Sequence, residues 1–187
     1  MVRFWIFLTF VVFLFACQPQ KVVKVPSQLM VTETSEKPIR GRIFIGDLKV
    51  PFRCHPKGDK FIFPLTFVGF IGYSEHTLRV GKYEFSFPLG LCKILNRRLV
   101  FPNYNVEKTP EGYLIKSSKG EVFSEVYTDL LWRVKEAQIC DPSGCYEIKY
   151  SRNWVEIEGW GWSLTFEVNP FPPKTSGYRP RYTPLKL

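Results

Sequence analysis

Apolar and polar residues change places at every second position along most of this 187-residue chain, and that period restricts it to antiparallel β-structure. Ile43 and Ile45 lead through Gly46-Asp47 to Leu48, Val50, Phe52 and Cys54, with Lys49 and Arg53 between them, which predicts a half-buried hairpin. Residues 61–68 are apolar on both faces and read as one strand, with Pro64 marking an edge or a bulge. Leu78 and Val80 pair with Tyr83, Phe85 and Phe87 across Gly81-Lys82. Six further segments follow as a meander: GYLIKSS, EVFSEVYT, LWRVKEAQI, CYEIKYS, NWVEIEG and WSLTFEV. Only residues 89–99 change period, placing Leu91, Ile94 and Leu95 on one face of a helix between Pro88 and Pro102. The fold expected is mainly β, with ten or eleven antiparallel strands and one helix.

Within that frame, FVGFIGY at residues 67–73 carries no charge in a chain that is 23% charged. It reads either as a buried strand or as a tight turn between Gly69 and Gly72 that presents Phe70 and Ile71 to lipid. Aromatic residues make up 17% of the chain. Trp132, Trp154, Trp160 and Trp162, with Phe63, Phe67 and Phe166, fill a barrel or line a cavity left open for an acyl chain; Leu91 and Leu95 would face it from the helix. Cys140 and Cys145 flank Asp-Pro-Ser-Gly, a type I turn sequence that would bring their sulfurs together across a hairpin; Cys54 and Cys92 then pair by elimination. Zinc is the rival use of these cysteines, but there is no C-x-x-C and the histidines are His55 and His76 alone, so no metal or other cofactor is expected. Neither histidine sits in a nucleophile-elbow context, and Glu156 and Glu158 share one face of a strand without a second acid cluster, so no catalytic residue is expected either.

The chain begins with Arg3 and an uncharged stretch over residues 4–16, too short for the roughly 20 residues of a bilayer span and suited to a secretory signal peptide over 1–16. Leu14-Phe15-Ala16-Cys17 resembles the lipobox of bacterial lipoproteins, which implies cleavage before Cys17 and lipidation of its sulfur. Gln18 after it implies transport to the outer membrane, with the protein held at the inner leaflet facing the periplasm. Two or three acyl chains anchor stably where one does not. Residues 17–38 read as a flexible linker, 39–169 as one domain with its own core, and 170–187 as a tail with five prolines, four basic residues and no acid. The net charge of +9 fits an acidic lipid surface or acidic partner; the basic residues form no stripe, and an exported protein does not meet nucleic acid.

Residues 39–80 resemble the bacterial lipoprotein-localisation factors, LolB more than LolA. The resemblance is carried by the Arg40-Gly41 pair in IRGRIFI, by KVPFRCH, and by a long apolar strand leading to a loop, where Phe70-Ile71-Gly72 stands in the place of Pro-Leu-Gly before SEHTLRV. It implies an antiparallel unclosed barrel covered by one or more helices. It also implies an apolar cavity that takes acyl chains from a periplasmic carrier, and transfer of lipoproteins into the outer membrane.

Overall fold

The structure, a computed structural model, describes residues 23–31 and 38–170. Their strands are β1 (Ile39–Ile45), β2 (Leu48–His55), β3 (Lys60–Ile62), β4 (Ile71–Ser74), β5 (Thr77–Val80) and β6 (Tyr83–Ser86). After the helix α1 (Leu91–Leu95) come β7 (Asn103–Lys108), β8 (Gly112–Lys119), β9 (Val122–Asp129), β10 (Val134–Asp141), β11 (Gly144–Tyr150), β12 (Trp154–Gly159) and β13 (Trp162–Pro170). Ten of these strands form one antiparallel sheet in the order β3-β2-β1-β13-β12-β11-β10-β9-β8-β7, and β4-β5-β6 form a second, three-stranded sheet. First and last strands pair in the middle of the large sheet, whose edges β3 and β7 remain apart, so the barrel is unclosed.

Alternation becomes packing through register. Val106, Ile115, Val126, Ala137, Ile148, Ile157 and Leu164 lie directly opposite one another on successive strands and make one apolar row across the inner face. Phe166, Ile43 and Val50 continue it on β13, β1 and β2. Each fully buried aliphatic side chain contributes roughly 1.5–3 kcal/mol, so the row alone outweighs any single polar contact in the fold. The expected hairpins at Gly46-Asp47, Gly81-Lys82 and Pro142-Ser143 are all formed.

Three elements cover the inner face: the small sheet, α1 with the loop after it, and residues 23–31. Leu78, Leu91, Ile94, Leu99 and Val100 are all within 1% of full burial there. Ser117 and Ser124, buried on β8 and β9, stitch the loop to the sheet: Ser124 Oγ donates to Leu99 O at 2.6 Å, and Phe101 N donates to Ser117 Oγ at 3.0 Å. Residues 23–31 belong to the stretch expected as a linker, yet they are part of the core. Val25 and Leu29 are buried around the 3-10 turn Ser27–Leu29, Leu29 O accepts from Leu99 N and Val100 N, and Val31 N donates to Val100 O. The signal peptide, Cys17, the remainder of the linker but for Pro38, and the tail from 171 lie outside the described residues.

Two expected elements are shorter than their sequence patterns. Pro64 has no N–H to donate, so β3 ends at Ile62 and the chain passes through a 3-10 turn, Leu65–Phe67, instead of continuing as a strand to Val68. The helix expected over 89–99 holds only five residues. Arg97 takes a left-handed φ of 62°, Arg97 N donates to Ile94 O, and Arg98 N donates to Lys93 O, which is a Schellman stop. The conformation is unusual for arginine; its guanidinium is held by Ser151 O at 2.7 Å and lies over the Tyr150 ring at 5.4 Å.

Candidate functional site

Crossing the β3 edge of the large sheet, residues 63–70 carry the chain from that sheet to the small one. Pro64 and the 3-10 turn throw side chains outward: Leu65 is 89% exposed and Val68 67% exposed, with Ile62 before them and Phe70 after them also exposed. The loop is pinned at both ends. Phe61 packs on Phe52, Phe63 and Tyr73, while Phe70 O accepts from Gly81 N. Its apolar tip is therefore a fixed feature of the surface.

The tip is not where sequence placed it. Ile71 is buried at 5% exposure, because it opens β4 and lies opposite Val80 on the inner side of the small sheet. Phe70 remains on the exposed side; Leu65 and Val68 take the role expected of Ile71. The continuous apolar run over 61–68 conceals them, and the glycines at 69 and 72 suggest a turn beyond them. Pro64 was the signal available.

Side chains expected to fill or line one interior are dispersed. Leu91, Leu95 and Phe166 are core residues, Phe166 packing edge-on to Phe52. Trp162 lies under the small sheet against Phe85 and Phe87, with Phe63 and Phe67 partly buried nearer the loop. Trp132 stacks on Tyr113 at 4.1 Å, at the β9–β10 connection. Of the other two tryptophans, Trp160 is fully exposed in the β12–β13 turn and Trp154 stands on the outer face against Phe44. A filled interior is what the buried positions describe, with Trp154 and Trp160 outside it.

The helix end nearest the loop is held by a polar latch. Asp59 Oδ1 accepts from Cys92 N at 2.8 Å, Tyr73 OH donates to Asp59 Oδ2, and Tyr73 OH accepts from Leu91 N at 2.9 Å. Asp59 approaches so closely that a Cβ on Gly90 would stand 2.6 Å from its carboxyl carbon. Burial first, and next the neighbouring Asp59 carboxylate, push the Tyr73 phenol well above its ordinary value. Under the same latch, Cys54 on β2 is joined to Cys92 on α1, the pairing expected by elimination; elsewhere, Cys140 is joined to Cys145 across the β10–β11 hairpin, as the turn between them predicts. Beside the latch a cavity of about 410 Å³ is lined by Pro56, Gly58, Asp59, Glu75, His76 and Lys93, with His76 Nε2 3.8 Å from Asp59 Oδ2. Its charged lining suits polar groups and not hydrocarbon. His55 lies at the end of β2, opposite Lys60. Glu156 and Glu158 do share the outer face of β12, where Glu158 pairs with Lys149 at 3.1 Å.

No helix among the described residues is long and apolar enough to cross a membrane. Neither a family model, a curated protein nor a solved structure matches the chain.

Proposed function

We propose that this chain is a lipid-anchored protein of the bacterial envelope, tethered to the outer membrane through Cys17, whose β domain works by non-covalent apolar contact. Loop 62–70 enters the bilayer. The inner face of the large sheet receives the acyl chain of a lipoprotein, handed over by a periplasmic carrier, when its cover lifts. The observation that carries this reading is Leu65 at 89% and Val68 at 67% exposure on a loop pinned at both ends. Leaving such side chains in water is unfavourable, and a hydrocarbon phase reverses the sign by roughly 1.5–3 kcal/mol for each.

Transfer on this account needs no catalyst: the lipid moves toward better apolar burial, at about 0.8 kcal/mol per methylene. Leu65→Glu combined with Val68→Glu leaves thermal stability unchanged and abolishes lipoprotein insertion. Normal sorting in that variant removes the role.

A second reading is favoured by the filled interior, where Phe166, Ile43, Leu91, Ile94 and Ile148 are at most 1% exposed. Here the domain is a non-catalytic structural lipoprotein that docks a protein partner. Titration of the unlipidated protein with a fluorescent fatty acid separates the two: saturable one-to-one binding supports the carrier, and no binding supports docking.

A further inference from the structure

We infer that the outer face of β1, β2 and β3 is a headgroup-binding surface for an anionic phospholipid bilayer. This rests on the reading that loop 62–70 meets a membrane, and adds the class of lipid to it. Arg40, Arg42, Lys49 and Arg53 all point outward and are exposed. Arg40 lies opposite Arg53, and Arg53 opposite Ile62, so two basic residues and an exposed isoleucine form one row leading to the apolar loop. Farther along, Lys49 Nζ lies 5.7 Å from the centroid of Phe44, whose ring is 5.0 Å from that of the exposed Trp154. Glu167 offsets part of this charge, 3.5 Å from Arg42.

The opposite half of the same outer face has the reverse sign. Glu125, Glu136, Glu147, Glu156 and Glu158 stand on β9–β12, with Glu147 directly opposite Glu158; the basic residues among and beside them are fewer, Lys149 on β11, Lys135 on β10 3.8 Å from Asp129, and Lys116 on β8 opposite Glu125. Charge is therefore segregated across one sheet in a chain of net charge +9. An anionic surface attracts the β1–β3 half and repels the other, turning the apolar loop toward itself. Basic residues interleaved with tryptophan and aliphatic side chains match the boundary between headgroups and hydrocarbon. An acidic protein would satisfy the charges but would leave Ile62, Leu65 and Val68 without a hydrocarbon phase.

The test is sedimentation of the mature chain, residues 17–187, carrying Cys17→Ser, which removes the acyl anchor, with vesicles of phosphatidylcholine alone or mixed equally with phosphatidylglycerol. The parent binds the anionic vesicles more tightly. Lys49→Glu with Arg53→Glu lowers the anionic-to-neutral binding ratio by about tenfold or more, and Lys108→Glu with Lys119→Glu, an equal charge change elsewhere, lowers it far less. If the reversal impairs folding, Lys49→Gln with Arg53→Gln replaces it and lowers the ratio in the same direction. Equal binding of the parent to both vesicles, or equal loss in the face pair and the control pair, overturns the inference. Leu65→Gln, which removes apolar surface without changing charge, reports on the loop separately, since it weakens binding to both vesicle types while preserving their ratio.

Discussion

Tyr73 and Tyr150 are the residues whose chemistry is most altered by the fold. Tyr73 OH joins Asp59 to the first turn of α1, and Tyr150 OH donates to Ile94 O at 2.8 Å from the other side of the same helix. Burial raises both phenols above the ordinary 10.0, with the Asp59 charge adding to the rise at Tyr73 and the Arg97 charge opposing it at Tyr150. In the unfolded chain both ionise from pH 10.0 upward while the folded protein keeps its protons. Their stabilisation is therefore complete below that pH and is lost as pH rises toward the folded values, at about 1.4 kcal/mol per pH unit for each phenol. Denaturation measured between neutral and strongly alkaline pH shows this fall, and Tyr73→Phe and Tyr150→Phe each make it shallower. Gly41 sets a second residue-level test. A Cβ there would stand 2.1 Å from Glu167 O and 2.9 Å from the Phe52 ring. The backbone oxygen belongs to the β1–β13 pairing and cannot yield, so Gly41→Ala costs about 2–3 kcal/mol in a denaturant titration.

At the scale of elements, the two disulfides differ in what they constrain. Cys54 and Cys92 are separated by 38 residues, Cys140 and Cys145 by 5. Loop-closure entropy assigns roughly 4 kcal/mol to the first and roughly 2 to the second. The double serine variant of Cys54 and Cys92 is thus expected to lose more in thermal unfolding, and to free the helix from β2. The meander and the Cys140–Cys145 bridge were legible because alternation and turn residues are local signals; Cys54–Cys92 followed from them by elimination, and the unclosed sheet was an implication of the family resemblance and not of any local pattern. Legibility failed where tertiary contact decides. Strand β7, NYNVEK, has asparagine where strands favour branched residues, and it forms because β8 offers it a partner. Val25 and Leu29 fall in a stretch with many polar residues and no sustained period, and only the docking of residues 23–31 on Leu99 and Val100 makes them core. The site suffered in the same way: the register of β4 with β5 buries Ile71, and no reading of one strand reveals that.

For the whole molecule, the apolar loop lies at one edge of the large sheet, the acidic outer face of β9–β12 lies away from it, and the cover closes the inner face between them. On the proposed tether through Cys17, that distribution gives the protein a preferred way up on a membrane. The acyl-chain uptake proposed above would have to separate α1 from the sheet, which the Asp59 latch and the Cys54–Cys92 bridge oppose. Reductant is consequently predicted to raise the rate at which the unlipidated protein takes up a fluorescent fatty acid; the same rate with and without reductant removes the cover from the mechanism.

Depth of the loop tests the central claim most directly. An environment-sensitive fluorophore attached at Leu65→Cys, in the lipid-anchored protein reconstituted into vesicles, is predicted to shift to the blue and to be quenched from within the hydrocarbon but not from the water. A label at position 65 that stays as open to aqueous quencher as one at position 119 contradicts the account.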